Sequence, residues 1–466
     1  MPSNPRLSPE NLLVLAAGLA WFALGRGGWL GFALAIVPGA LLVASGVATL
    51  LGHGEGRLRD MAALGGGAGA LIAVFFSPLW GVAGALTLLA LSGGAFVAAG
   101  ALTARDAERV EGTPHFERTA RLHTEIATDQ AIRGAMLSLV PFAPASERTR
   151  LAREFDEASK LWSERGWDSA PATYHVAPPP AERVASRARR TLGAAFEELR
   201  FESGYAPHAD EPGRERYLGY EPNRLAFAWL LRASDSSRPW LICLHGYQMG
   251  TPAIDLQVFR AQQWRERGFN VVLPVLPFHG PRRLGAISGI GMFGADFLDS
   301  AHALAQAMWD VRRLIGWIRA QGGSEITCYG LSLGGYSAAL LASLAPELHA
   351  VVAGIPAADF VRLVFTHAPA AERERILRAG VTRELATKVM RPVSPLALAP
   401  LVPHERRFVF GAPDDQFVPA DQVRDLLSHW EKPRHVWFPG AHVTFRVHAQ
   451  VQALVAEALV SGGPRA

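Results

Sequence analysis

Apolar positions along this chain follow two regimes. From Asn11 to Ala104 they run almost without interruption; beyond that they come in short blocks between charged and turn-forming residues. Met61 to Ala104 is 44 residues without a charge. As helix that is about 66 Å, roughly two hydrocarbon thicknesses, and Ser77-Pro78 offers a break within it. Gly27 to Gly52 is a second uncharged stretch, and Asn11 to Gly25 a shorter one. The pattern predicts an N-terminal all-α transmembrane region over 1–104, with helices at about 9–25, 28–52, 60–77 and 79–103.

The flanking charges orient these helices. Arg6, Arg57, Arg59, Arg105 and Arg109 fall on one side under this count and Arg26 on the other. Positive charge collects on the cytoplasmic side, so both termini and everything after the helices are expected there, in an integral protein of the cell inner membrane. Trp21, Trp29 and Trp80 lie near helix ends, where aromatic belts form. Gly65-Gly66-Gly67-Ala68-Gly69 and Gly93-Gly94 suggest close helix packing. The uncharged spans give no proton or ion path, which speaks against transport.

Arg105 to Trp167 is charged and helical in pattern, for example Arg150 to Trp162, and Ala177-Pro178-Pro179-Pro180 marks a stiff linker. A further helix is expected over Ala181 to Glu198. Segment 105–196 is therefore read as a helical linker, either a lid over a cleft or a spacer. Strand-like blocks follow at Leu199–Phe201, Leu225–Leu231, Trp240–Leu244, Phe269–Leu273, Ile326–Tyr329, Phe408–Phe410 and Val436–Phe438. A long helix runs from Phe297 through Trp317.

The chemistry centres on Gly330-Leu331-Ser332-Leu333-Gly334. A short buried strand precedes it, and Gly335 with the small apolar run Ser337 to Ala342 reads as a helix start. Gly-x-Ser-x-Gly between strand and helix is a nucleophile elbow, a turn so tight that glycines must flank the serine. A serine hydroxyl is a poor nucleophile at neutral pH. It needs a histidine to take its proton and a carboxylate to orient that histidine.

These residues resemble the α/β-hydrolase superfamily, with serine esterases and lipases as the nearest type. The resemblance covers about Arg224 to Leu459. It implies an α/β-hydrolase fold, a mostly parallel sheet flanked by helices, over 197–466 with a cap insertion at about 355–406. In that family the acid and then the histidine follow the serine along the chain. Gly411-Ala412-Pro413-Asp414-Asp415-Gln416-Phe417-Val418-Pro419 resembles the family's acid turn. Asp415 fits the spacing to Val-Pro and is favoured as the acid; Asp414 fits the spacing from the glycine and stays open as the alternative. Pro439-Gly440-Ala441-His442 resembles the family's Gly-Gly-His loop, with alanine for the second glycine, and makes His442 the general base. His245-Gly246-Tyr247 resembles its His-Gly-x loop, so the N–H groups of Tyr247 and Leu333 are the expected oxyanion-hole donors. Pro277-Phe278-His279-Gly280-Pro281-Arg282-Arg283 is a loop at a strand end, where ligands bind in such sheets. His279, Arg282 and Arg283 are candidate substrate contacts there, the arginines for an anionic group.

Composition narrows the rest. The formal charge of +4 comes without a basic run, so nucleic acid is not an expected partner. Lysine occurs only at Lys160, Lys388 and Lys432, leaving arginine as the cation. Cys243 and Cys328, the only cysteines, lie in predicted core strands without metal-ligand spacing, and neither metal nor cofactor is called for. The expectation is a membrane-anchored serine hydrolase cleaving carboxylic esters, small-molecule or lipid, through an acyl-enzyme on Ser332. An acyltransferase would use the same triad, and a catalytically silent membrane scaffold of this fold is the competitor from another class.

Overall fold

The structure is a computed structural model and describes residues 7–25, 27–52, 56–138, 145–233, 235, 237–292 and 297–460. Arg6 and Arg26, both used above to orient the helices, lie outside the described residues. The chain divides into two compact units. One draws on Met1–Leu139, Ala412–Ala420 and Trp437–His448; the other draws on Val140–Gly411, Asp421–Val436 and Ala449–Ala466.

The first unit begins with α1 (Pro9–Leu24), α2 (Gly28–Leu50), α3 (Gly56–Phe75) and α4 (Gly81–Asp106), with a 3-10 turn at Ser77–Leu79 at the expected break. α2, α3 and α4 are long and apolar enough to cross a membrane, while α1 is shorter. Their outward faces carry Leu30, Phe32, Val37, Leu71, Phe75, Val82 and Leu86, all exposed. Large apolar side chains turned outward in this number suit lipid rather than water. Inside, Val14, Trp21, Leu42, Ala63, Leu88, Ala95 and Ala99 form the core. A Cβ on Gly66 would sit 2.8 Å from the Phe96 amide nitrogen, so only glycine lets α3 lie this close to α4. Gly93, read above as a packing residue, faces open space.

Trp21 departs from its expected place in an aromatic belt. It is fully buried, donating from Nε1 to Ser92 Oγ at 2.9 Å and meeting the Trp80 ring edge-on at 5.4 Å. A buried indole needs an acceptor for its N–H, and α4 supplies one. Trp29 is exposed. The charged ends of α1, α3 and α4 meet through Arg105–Glu10 at 3.7 Å and an Arg59–Asp106 pair. α5 (Ala120–Ser138) packs on α3 and α4, with Arg133 bound to Asp60 at 2.6 Å.

The second unit holds the sheet. Its strands are β1 (Ala185–Thr191), β2 (Ala194–Glu202), β3 (Leu225–Leu231), β4 (Trp240–Leu244), β5 (Asn270–Pro274), β6 (Ile326–Leu331), β7 (Ala350–Gly354), β8 (Arg407–Gly411) and β9 (Arg434–Trp437). Their spatial order is β1-β2-β3-β5-β4-β6-β7-β8-β9. β1 to β3 pair antiparallel, as does β3 with β5, and β5, β4, β6, β7 and β8 run parallel. The parallel strands are buried almost throughout, as strands covered on both faces must be. Helices such as Phe297–Ala320, Leu333–Leu341 and Ala449–Val460 belong to the same unit. Antiparallel entry, the β5-β4-β6 crossover and a strand–serine–helix junction after β6 make this an α/β-hydrolase fold.

Where a helix was expected over Ala181 to Glu198, the chain forms the β1–β2 hairpin. Leu192 and Gly193 both take positive φ, 45° and 83°, closing a two-residue turn between the paired Thr191 and Ala194. Phe196, Leu199 and Phe201 of β2 are buried. The arginine- and alanine-rich sequence favours helix locally, but pairing β2 with β3 outweighs that preference. Between β7 and β8 the insertion forms three short helices, Phe360–His367, Ala370–Arg378 and Arg383–Met390.

Candidate active site

Ser332 stands between β6 and the helix Leu333–Leu341 with φ 58° and ψ −115°. A non-glycine residue avoids this region, so the neighbours must force it. They do so on both sides. Ser332 donates its N–H to Gly354 O at 2.9 Å and accepts from Tyr336 N–H at 2.9 Å. A Cβ on Gly334 would lie 1.8 Å from Leu244 O, at the end of β4, so the helix starts in backbone contact with the next strand. The side chain of Ser332 is held half-buried, and Leu333, as the first helical residue, has no N–H partner within its own helix.

The His245-Gly246-Tyr247 loop follows β4 and runs beside the serine. A Cβ on Gly246 would come within 3.6 Å of Ser332 Cβ. Tyr247 is half-buried there, and burial pushes its phenol up to about 12. His245 braces the loop instead of presenting itself to a ligand. Its Nε2 accepts from Leu276 N–H at 3.0 Å and Nδ1 pairs with Gly246 O at 2.9 Å, which fixes the Nδ1–H tautomer. Burial lowers its pKa to about 4, keeping the ring neutral.

The Arg282 expectation is corrected. Its side chain is fully buried and bound to Asp310 at 2.9 Å, Val275 O at 2.9 Å and Asn223 O at 3.1 Å. A guanidinium that is fully buried, with both terminal nitrogens bound to interior oxygens, is a structural ion pair and not an anion subsite. Arg283 is exposed and donates to Gly280 O at 3.0 Å. His279 is fully buried; Nδ1 pairs with Pro277 O at 2.9 Å, and its ring meets His245 edge-on at 4.9 Å.

Acid and histidine lie in the helical unit, on the loops 412–420 and 437–448. His442 Nδ1 is 2.6 Å from Asp415 Oδ2. The other oxygen, Oδ1, accepts from Phe417 N–H at 2.8 Å and Val418 N–H at 2.7 Å, so the Val-Pro turn locks the carboxylate. This hydrogen bond to Nδ1 leaves Nε2 as the basic nitrogen. The Phe417 ring lies against the imidazole at 4.8 Å. Burial alone would lower the His442 pKa, but the Asp415 charge and hydrogen bond, with Asp129 adding, outweigh it and raise it. Asp414, the alternative acid, faces elsewhere. Burial raises its carboxyl against the charges of Arg118, His123 and His115.

Sequence reasoning missed two carboxylates on α5. Asp129 is fully buried and accepts three backbone N–H bonds: Gln416 at 3.1 Å, His442 at 2.6 Å and Val443 at 2.9 Å. Burial raises its pKa to about 7, helped by the Asp415 charge and opposed by His442 and the N–H groups. One turn earlier Glu125 binds Thr444 Oγ1 at 2.6 Å and His448 Nε2 at 3.0 Å. Burial alone would raise the Glu125 pKa; hydrogen bonds from Thr444, Arg121 and His448 bring it below the usual value. Acidic positions on a charged helix of the predicted linker gave no signal of this role.

No protein-family model matches the chain. It is 41% identical over 319 residues to the uncharacterized protein MT2702 of Mycobacterium tuberculosis, spanning 67% of this chain and 76% of that one. The uncharacterized protein Rv2627c, from another strain of that organism, matches with the same identity and coverage. Among solved structures it is similar to an acetyl xylan esterase from a Paenibacillus species, at 16% identity and TM-score 0.45, over 65% of this chain and 94% of that one. Acetyl xylan esterase 1 from a Thermoanaerobacterium species is similar at 16% identity and TM-score 0.45, over 69% and 99%.

Proposed function

We propose, for a chain that belongs to the same family as these two uncharacterized mycobacterial proteins, that it is a membrane-anchored serine hydrolase of carboxylic esters. The observation that carries this reading is Ser332, held at φ 58° between a buried strand and a helix N-terminus. Such strain serves no purpose for a packing serine and suits one that must present its oxygen to a ligand. The Asp415–His442 pair supplies the matching base.

In this mechanism the Ser332 oxygen attacks the acyl carbon while His442 Nε2 takes the hydroxyl proton. The N–H groups of Leu333 and Tyr247 receive the developing oxyanion. As the tetrahedral intermediate collapses, the imidazolium gives its proton to the departing alkoxide, which leaves as an alcohol. Water then attacks the acyl-enzyme, His442 takes its proton, and the carboxylic acid is released with Ser332 restored. Asp415 keeps the imidazole in the required tautomer and offsets its positive charge. The apolar helices α2, α3 and α4 are the anchor and favour hydrophobic or lipid esters as the substrate class.

A fluorophosphonate probe tests the reading on the full chain in detergent. Wild type is expected to be labelled and Ser332→Ala, equally well folded, is not. Labelling that survives Ser332→Ala, or its absence in folded wild type, sinks the proposal. Alkaline carbonate washing is expected to leave the chain in the membrane pellet, and its release into solution would remove the anchor.

A further inference from the structure

The acid and histidine loops are tied to one helix, and a single side chain joins both. Asp129 Oδ2 accepts from Gln416 N–H on the acid loop and from His442 N–H itself, while Oδ1 accepts from Val443 N–H. Arg133, one turn on, donates to Gln416 O and binds Asp60 on α3 at 2.6 Å. Three N–H groups converging on one fully buried carboxylate make a site built for an anion. Removing it would leave three N–H donors, that of the buried His442 among them, without this acceptor.

We propose that Asp129 is a positioning residue for the reaction, fixing the His442 backbone and the acid loop against α5 and adding a second negative charge behind the imidazolium. This rests on the reading of His442 as general base. A serine hydrolase needs only one carboxylate to orient its histidine. Here a second one comes from a helix packed on α3 and α4, both long and apolar enough to cross a membrane. The base is thereby built into the helical unit, and α5 connects its placement to the packing of those helices.

The charge environment is defined on every side. Asp415 and His442 face Asp129 from the two loops, and Arg133 and Glu125 flank it along α5. α3 contributes Asp60, already held by Arg133, and α4 contributes the neutral Thr103, which accepts from Gln130 Nε2 at 2.7 Å. Arg133 is thus committed to Asp60 and Gln416 O, so the Asp129 carboxylate, once ionised above its own pKa of about 7, acts on the imidazole as an additional negative charge. An opposite charge close to an imidazole raises its pKa by roughly one unit or more.

The test uses the full chain in detergent and compares wild type with Asp129→Asn and Asp129→Glu. Asp129→Asn keeps the size, removes the charge and sets an NH2 against the N–H donors. It is expected to lower kcat roughly 10- to 100-fold with KM nearly unchanged. The acid limb of its kcat/KM profile should move down by about one pH unit. Asp129→Glu keeps the charge on a longer arm, so it should lower kcat while leaving that limb in place. A folded Asp129→Asn with its acid limb unmoved overturns the proposal. If Asp129→Asn does not fold, Asp129→Glu decides alone, and parental kcat in that variant overturns it. Should the wild type have no Ser332-dependent activity, the functional reading falls separately. The His442 ring titration, followed by NMR on histidine-labelled protein, then decides Asp129: a midpoint lowered in Asp129→Asn supports it, an unchanged one refutes it.

Discussion

Replacing Gly334 by alanine probes the elbow with the smallest change available. An added Cβ would sit 1.8 Å from Leu244 O and 2.7 Å from His245 O, both backbone atoms that cannot swing aside. Ordinary contact begins near 3.4 Å, so the start of the helix Leu333–Leu341 and the end of β4 must separate by 3.4 − 1.8 = 1.6 Å. Overpacking of this kind costs about 1–3 kcal/mol of stability. The functional loss should be larger, because the separation pulls Leu333 N–H from the loop that carries Tyr247 N–H. Losing one oxyanion donor lowers kcat by roughly 10²–10³-fold. The assay is hydrolysis of a chromogenic p-nitrophenyl ester, with thermal melting as the fold control. Gly285, where an added Cβ meets nothing within 4 Å, supplies the neutral comparison. Gly334→Ala with parental kcat/KM and melting temperature would refute the account of the elbow.

Asp415→Asn should lower kcat by roughly 10³–10⁴-fold by releasing the imidazole tautomer, whereas Asp414→Asn should stay within about fivefold of wild type; equal losses would reopen the choice of acid. The raised His442 pKa fixes the direction of the pH dependence, since His442 must be neutral to accept a proton. Activity is therefore lost as pH falls through a value above about 6.5, and an acid limb of kcat/KM near 5 contradicts this. The same shift makes the protonated ring stabilising, fully so below about 6.5 and no longer once pH has risen through the folded pKa; a melting temperature unaffected by pH across that window would count against it. Arg282→Met should destabilise the protein by about 3–5 kcal/mol by leaving Asp310 buried without its partner. It should leave discrimination between anionic and neutral esters unchanged; a selective loss on anionic esters would restore Arg282 as a substrate contact.

The sequence by itself determined what is local. The apolar helices α1 to α4 and the break at Ser77-Pro78 could be read because each apolar run is continuous in the chain and needs no distant partner to be recognised. The elbow could be read because a strand, a flanked serine and a helix start are adjacent in the chain. The β1–β2 hairpin could not, since its local composition favours helix and a distant strand, β3, settles the matter. Arg282 looked like a ligand contact because charge in a loop is visible in sequence, while its burial against Asp310 depends on a helix that begins only at Phe297. Asp129 was least visible of all. Its role arises because residues 287 and 313 positions further on bring their N–H groups to it, and linear spacing carries no trace of such convergence. Local chemistry is written in neighbouring residues, whereas the partners of a buried charge are chosen only when the chain folds.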